Sequence, residues 1–166
     1  MMFLLTACND VGQHEPIVND DVTQPNEEPK AVDAVDYELL MHLDFMPHEV
    51  GASMTIVKDE QLYQSWAEIF QFETIPEIDF VAEEVLFVTS YSNGCGLVLD
   101  TLTQKEDTLY VTLNYPEDIR NNEEIICTEI AMPNTYVIKM KISGATKGTL
   151  KVTDNVILEN ENISPY

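Results

Sequence analysis

The sequence predicts an α+β fold rich in β structure: a mainly antiparallel sheet, as a sandwich or half-barrel, with one amphipathic helix. Three observations carry that expectation. Val85-Leu86-Phe87-Val88 is a continuous apolar run, the pattern of a strand covered on both faces. Leu109, Val111 and Leu113 alternate with Tyr110, Thr112 and Asn114, which is the period of a strand with one covered face. Leu62, Tyr63, Trp66, Ile69 and Phe70 recur at helical spacing and share one side of a helix.

Bulk composition narrows the classes of partner. A chain of 166 residues is about one domain's length, and 45% apolar residues suffice for a core. Eight basic residues against 30 acidic ones leave a net charge of −22. A field of that sign repels phosphate backbones, so nucleic acid is not an expected partner. It also disfavours attraction to anionic lipid head groups, so membrane contact would have to be covalent or hydrophobic.

The chain opens Met-Met-Phe-Leu-Leu-Thr-Ala-Cys, and Leu5-Thr6-Ala7-Cys8 fits the lipobox of bacterial lipoproteins position by position. In that family the cysteine thiol takes a diacylglyceryl group as a thioether, and cleavage leaves an acylated N-terminal cysteine. Each buried methylene of an acyl chain contributes about 0.8 kcal/mol, so two or three chains hold a protein on a bilayer. No basic n-region precedes Cys8, and the apolar run is shorter than a full signal peptide. The expectation is therefore a true start upstream, with residues 1–8 as the end of the signal segment. Residues 9–35 carry Pro16, Pro25 and Pro29, acidic residues throughout and no apolar periodicity. That composition predicts a disordered acidic tether, ahead of one β-rich domain over 36–160 and a tail over 161–166.

Within the domain, Tyr37 to Phe45 and Ser53 to Val57 read as strands, and Asp59 stands where a helix N-cap belongs. The helix is expected over 59–71, and Trp66 on its apolar side is a core residue. Thr74 to Phe80 breaks the helix and leads into the central strand at Glu84. Asn93-Gly94 and Gly96 mark a turn. Leu97 to Thr103 and Leu109 to Asn114 form a hairpin, followed by a polar loop over 115–122. Two further strands are expected at Glu124 to Ile130 and Thr135 to Ile142, joined by 131–134. A last hairpin turns at Asp154-Asn155, and the chain frays from Glu159.

Chemistry is sparse. With Cys8 acylated, Cys95 and Cys127 remain as an even pair in an oxidising compartment, which predicts a disulfide. Two buried free thiols, or one reactive thiol, are the alternatives; neither cysteine has a histidine close in sequence to activate it. His42, Asp44, His48 and Glu49 bring two imidazoles and two carboxylates within a short segment, a weak metal-binding candidate with no recognised ligand spacing. No Gly-rich phosphate loop, Ser-His-Asp pattern or zinc spacing occurs, so the expectation is a non-enzyme without cofactors.

The order of elements carries a resemblance. A helix with Trp66, Pro76 to Phe80, the apolar strand Val85 to Val88, the turn Asn93 to Gly96, a hairpin, and Pro133 before a strong strand resemble the family named after the C-terminal domain of PrcB. PrcB is a subunit of a bacterial surface protease complex, and the resemblance covers roughly Ser53 to Lys141. Where that family carries a Gly-Gly-aromatic turn, this chain has Gly94-Cys95-Gly96; its Thr-x-Pro-aromatic step corresponds to Ala131 to Tyr136. The resemblance implies a small accessory module on lipoproteins that binds or stabilises an envelope protein, with no catalytic residues to carry over. A second expectation, from another class, is a protease inhibitor presenting loops near 93–97, 115–122 and 131–135 as a wedge. A third is a purely structural envelope protein, and a fourth is a small-ligand or metal binder using the His42 to Glu49 segment.

Overall fold

The computed structural model describes residues 32–122 and 124–164. Cys8, and the expected tether as far as Ala31, lie outside the described residues. Two mainly antiparallel sheets stack face to face, and a helix covers the outer side of one. The sheets are open, so the arrangement is a sandwich and not a closed barrel. The first sheet has the order β1-β5-β6-β8-β9 and the second β2-β7-β4-β3. Their strands are β1 Asp33–Ala34, β2 Tyr37–Leu43, β3 Ser53–Val57, β4 Glu83–Ser92, β5 Val98–Lys105, β6 Thr108–Asn114, β7 Met132–Lys141, β8 Lys147–Val152 and β9 Asn155–Asn160; the helices are α1 Glu60–Ile69 and α2 Glu117–Arg120.

The apolar run of β4 has the environment that it requires. Leu86 and Val88 point into the inter-sheet core with Met54, Ile56, Tyr136, Ile138, Leu109, Val111, Leu113 and Leu150. Val85 and Phe87 point the other way, against Val57, Tyr63, Phe70 and Val137. On this outer side Phe87 is the hub of an aromatic cluster. Its ring centroid lies 4.8 Å from Trp66, 5.2 Å from Phe70, 6.1 Å from Phe72 and 6.4 Å from Tyr63. Such contacts contribute about 0.5–1.5 kcal/mol each beyond area burial.

Helix α1 starts where Asp59 Oδ1 accepts from the Leu62 amide at 2.8 Å. It ends in a Schellman motif, with Phe72 N donating to Ala67 O and Gln71 N to Glu68 O. Gln71 adopts φ 56° there, a position glycine usually takes.

Several expectations are corrected. The domain begins earlier than residue 36: Asp33 and Ala34, assigned above to the tether, pair with Gln104 and Thr103 of β5. Glu124 to Ile130 is not a strand: it runs as irregular chain, held by the Cys95–Cys127 bond and by the hydrogen bond from Gly94 N to Thr128 O. Strand β7 instead starts at Met132, so 131–134 is not a connecting loop. The polar loop after Asn114 contains the short helix α2. The chain does not fray from Glu159: β9 runs through Asn160, and Ile163 is buried. Ile163 N donates to Thr146 O and its carbonyl accepts from Ile56 N. Gly148 permits this closure, because a Cβ there would lie 2.9 Å from Ile163 and 2.8 Å from Met54.

Strands β6 and β8 pair in parallel. The reason is the excursion between them. The chain leaves β6, traverses the second sheet as β7, and re-enters the first sheet at the end where β6 began. Opposite that excursion's start, buried Glu84 anchors the β7–β8 connection by accepting from Ser143 N at 2.9 Å and from its hydroxyl.

The Tyr63 hydroxyl is buried without a hydrogen-bond partner among the described residues, and burial pushes its pKa up to about 12 from 10.0. The neutral form is thus favoured in the folded state. Between pH 10 and 12 the unfolded chain releases this proton first, so the group costs about 2 kcal/mol of stability by the upper end. Tyr63→Phe is expected to stabilise the protein by about 1 kcal/mol at neutral pH, by removing an unsatisfied buried group. The variant also lacks this group's share of the alkaline loss. Urea unfolding at neutral and alkaline pH checks both; a destabilised variant with an unchanged alkaline slope would refute the assignment.

Candidate functional site

The chemistry-bearing feature is one end of the sandwich, where a disulfide ties two irregular segments together. After β4 the chain turns through residues 93–97. Asn93 Oδ1 accepts from Cys95 N at 3.1 Å, and Gly96 N donates to Asn93 O at 3.0 Å, closing the turn. Asn93 Nδ2 donates to the Tyr115 hydroxyl at 2.9 Å, which brings the segment after β6 alongside. Arg120 of α2 sits 3.4 Å from Asp100 of β5, a partly exposed ion pair that adds little energy but sets direction.

Cys95 and Cys127 are joined, with Cα atoms 5.2 Å apart and a separation of 32 residues. Beside the bond, Gly94 N donates to Thr128 O at 2.9 Å. Gly94 is required by packing: a Cβ at this position would stand 1.9 Å from Thr128 Oγ1. Residues 124–131 therefore form a strap across the end of the sheets, pinned at its centre. Its side chains face outward, with Ile126 93% exposed and Ile130 65% exposed.

The base of the strap is rigid. Asn134 is buried, and its Nδ2 donates to Ser92 Oγ at 2.8 Å and to Met132 O at 3.0 Å. The Tyr136 hydroxyl donates to Leu97 O at 2.8 Å, tying β7 to the turn. Burial, and then the Asp44 carboxylate, push the Tyr136 phenol above its ordinary pKa.

Of the three segments expected to form a wedge, 93–97 and 115–122 meet at this end. The third, 131–135, is the opening of β7 at the same end, and the outermost residues are those of the strap. Ile126 and Ile130 escaped the sequence reading because an apolar pair flanked by acidic residues has the composition of a strand edge. The disulfide was the available signal, since it fixes Cys127 against a glycine turn.

The four metal candidates do not converge. His42 Nε2 lies 4.0 Å from Asp44 Oδ1, but the same nitrogen is 2.9 Å from Asn134 Oδ1, and the ring stacks on Tyr136 at 4.7 Å. His48 and Glu49 are exposed on the following turn. Among the described residues no group of three His, Cys, Asp or Glu side chains is placed to hold an ion. No helix among them is long and apolar enough to cross a membrane. Comparison with family models, with curated proteins and with solved structures finds no match.

The disulfide closes a loop whose chain-entropy contribution is about 3–4 kcal/mol. The double variant Cys95→Ser/Cys127→Ser is expected to lose stability of that order and to become cleavable within 124–131 before anywhere else. Limited proteolysis with mass mapping of the first cut checks this; a first cut at another segment would show that the strap is held by other means.

Proposed function

We propose that this chain is a lipoprotein of the bacterial envelope, anchored through acylated Cys8 on the non-cytoplasmic side of a membrane. Its domain acts by binding an envelope protein, not by catalysis. The observation that carries the binding reading is the strap. Isoleucine held 93% exposed on a pinned backbone is apolar area already ordered for contact. Because the disulfide and the Gly94–Thr128 bond restrict the segment beforehand, less conformational entropy is lost on binding. Large apolar side chains grouped at one end of a strongly acidic protein are the kind of surface that marks interaction sites. The lipobox at Leu5 to Cys8 supports the anchor, and the resemblance to the PrcB C-terminal domain family supports an accessory role beside a peptidase.

A protease inhibitor is the second reading. It is favoured by a specific observation, the meeting of the 93–97 turn, the 115–122 segment and the start of β7 at one end, with a disulfide among them. An inhibitor needs an exposed segment whose backbone is held in advance, and the strap, tied by the Cys95–Cys127 bond and the Gly94 N to Thr128 O bond, supports that reading.

In-cell photo-crosslinking of the full-length protein from position 126 separates these readings from a purely structural role. A recurrent peptidase captured from position 126 and not from position 157 on β9 is the expected result. Ile130→Lys, elsewhere on the strap, is expected to reduce that capture at least about tenfold without lowering the unfolding midpoint. Capture of only abundant envelope proteins, equally from both positions, would overturn the proposal. Adding the pure protein to the captured peptidase then distinguishes an inhibitor from an accessory subunit. Cys8→Ala is expected to release the protein from membranes, and continued sedimentation with them would remove the anchor from the reading.

A further inference from the structure

We infer that the open edge of β2 is a second protein-binding surface, one that accepts an extended cationic peptide as an added strand. Among the described residues, strand β2 is outermost in its sheet and pairs only with β7. Edge strands are normally blunted by lysine and other charges, by proline, by bulges or by brevity. Tyr37–Leu43 has seven residues, neither lysine nor proline, and one irregularity, at Leu40. The opposite edge of the same sheet is managed differently, because Ile163 O accepts from Ile56 N of β3.

A groove of about 800 Å³ runs beside β2. Its near wall is every residue from Leu40 to Phe45, and its far wall is 70–74 with Pro76. Leu40 to Leu43 are the last four residues of β2, and because side chains of a strand alternate between faces, four consecutive lining residues mark the strand's edge and not one face. At about 3.3 Å per residue that stretch spans roughly 13 Å, and Asp44 and Phe45 continue the wall beyond the end of the strand. The far wall is fixed in place by the Schellman motif at the end of α1, in which Gln71 and Phe72 donate back to the last turn. The groove is therefore a slot between a free edge and an ordered shoulder, the geometry used when peptides add a strand to a sheet.

Charge selects the occupant. Asp44 and Glu73 stand on opposite walls, and among the described residues no lysine or arginine lines the groove. Leu40, Leu43, Phe45, Phe70 and Phe72 supply apolar lining. A peptide alternating apolar residues with lysine or arginine matches both properties. A second copy of this chain does not, since it would bring its own Asp44 and a net charge of −22 against the first.

The test uses the full chain and a labelled heptapeptide of alternating valine and lysine, followed by fluorescence anisotropy. Saturable binding is expected, weakening with salt. The same peptide N-methylated at alternate amides is expected to bind at least about tenfold more weakly, because strand addition needs its backbone donors. Asp44→Lys/Glu73→Lys, at two exposed positions, is expected to produce a similar loss. Ile126→Lys is expected to leave peptide binding unchanged, which makes this result independent of the strap. Equal binding of the N-methylated peptide, equal binding of a valine–glutamate peptide, or a concentration-dependent dimer that excludes the peptide would each overturn the inference.

Discussion

The structure depends on the burial of β4 from both sides. All its residues from Glu84 to Ser90 are buried, and it pairs with β7 along ten positions and with β3 along five. A strand in that position must find apolar neighbours above and below. The inter-sheet core satisfies one face, and α1 with the 70–80 segment satisfies the other. The third layer is thus a consequence of Phe87 and Val85, which would face water without it. Because β4 and β7 are each paired on both edges, sheet pairing offers the 124–131 segment no place beside them.

Local pattern made much of this legible. The run at 85–88 announced a doubly covered strand, and the 3.6-residue spacing from Leu62 to Phe70 announced α1 within a residue or two of its ends. The β8–β9 hairpin and the alternation in β6 were equally local. What escaped was decided at a distance. The parallel pairing of β6 with β8 follows from the path of β7 through the other sheet, which periodicity does not encode. Ile163 looked like part of a polar tail, yet it fills a space that Gly148 leaves open. Ile125-Ile126 looked like a strand because its composition is that of one. Its conformation is set by a cysteine and a glycine elsewhere in the chain. The cysteine pair was legible, but the shape that it imposes was not.

The two ends of the molecule are built on opposite terms. At the Glu84 end, the fold ties itself together through polar groups: Ser143 donates to Oε1 of the buried carboxylate, Lys58 Nζ lies 4.0 Å from Oε2, and Ala145 N donates to Ser143 Oγ. At the stapled end, backbone is tied down and side chains are left outward. Across this surface the acidic excess works against self-association, which exposed apolar groups and an open edge would otherwise invite. Negative charge thereby makes it tolerable to display Ile126 and β2 at all.

The strap and the core differ in what holds them. Core strands are supported by ladders of hydrogen bonds and by side chains packed on both sides, so they do not need Cys95 or Cys127 to define their register. Among the described residues, the middle of the strap meets the rest of the end through the backbone bond from Gly94 N to Thr128 O and the adjacent disulfide. A single exposed hydrogen bond contributes about 0.5–1.5 kcal/mol, less than the disulfide's chain-entropy contribution of about 3–4 kcal/mol. The bond between sulfurs is the stronger of the two restraints on the strap. An oxidising compartment is therefore a condition for the strap's shape, though not for the sandwich beneath it. That dependence links the surface that presents apolar side chains to the export which the first residues of the sequence predict.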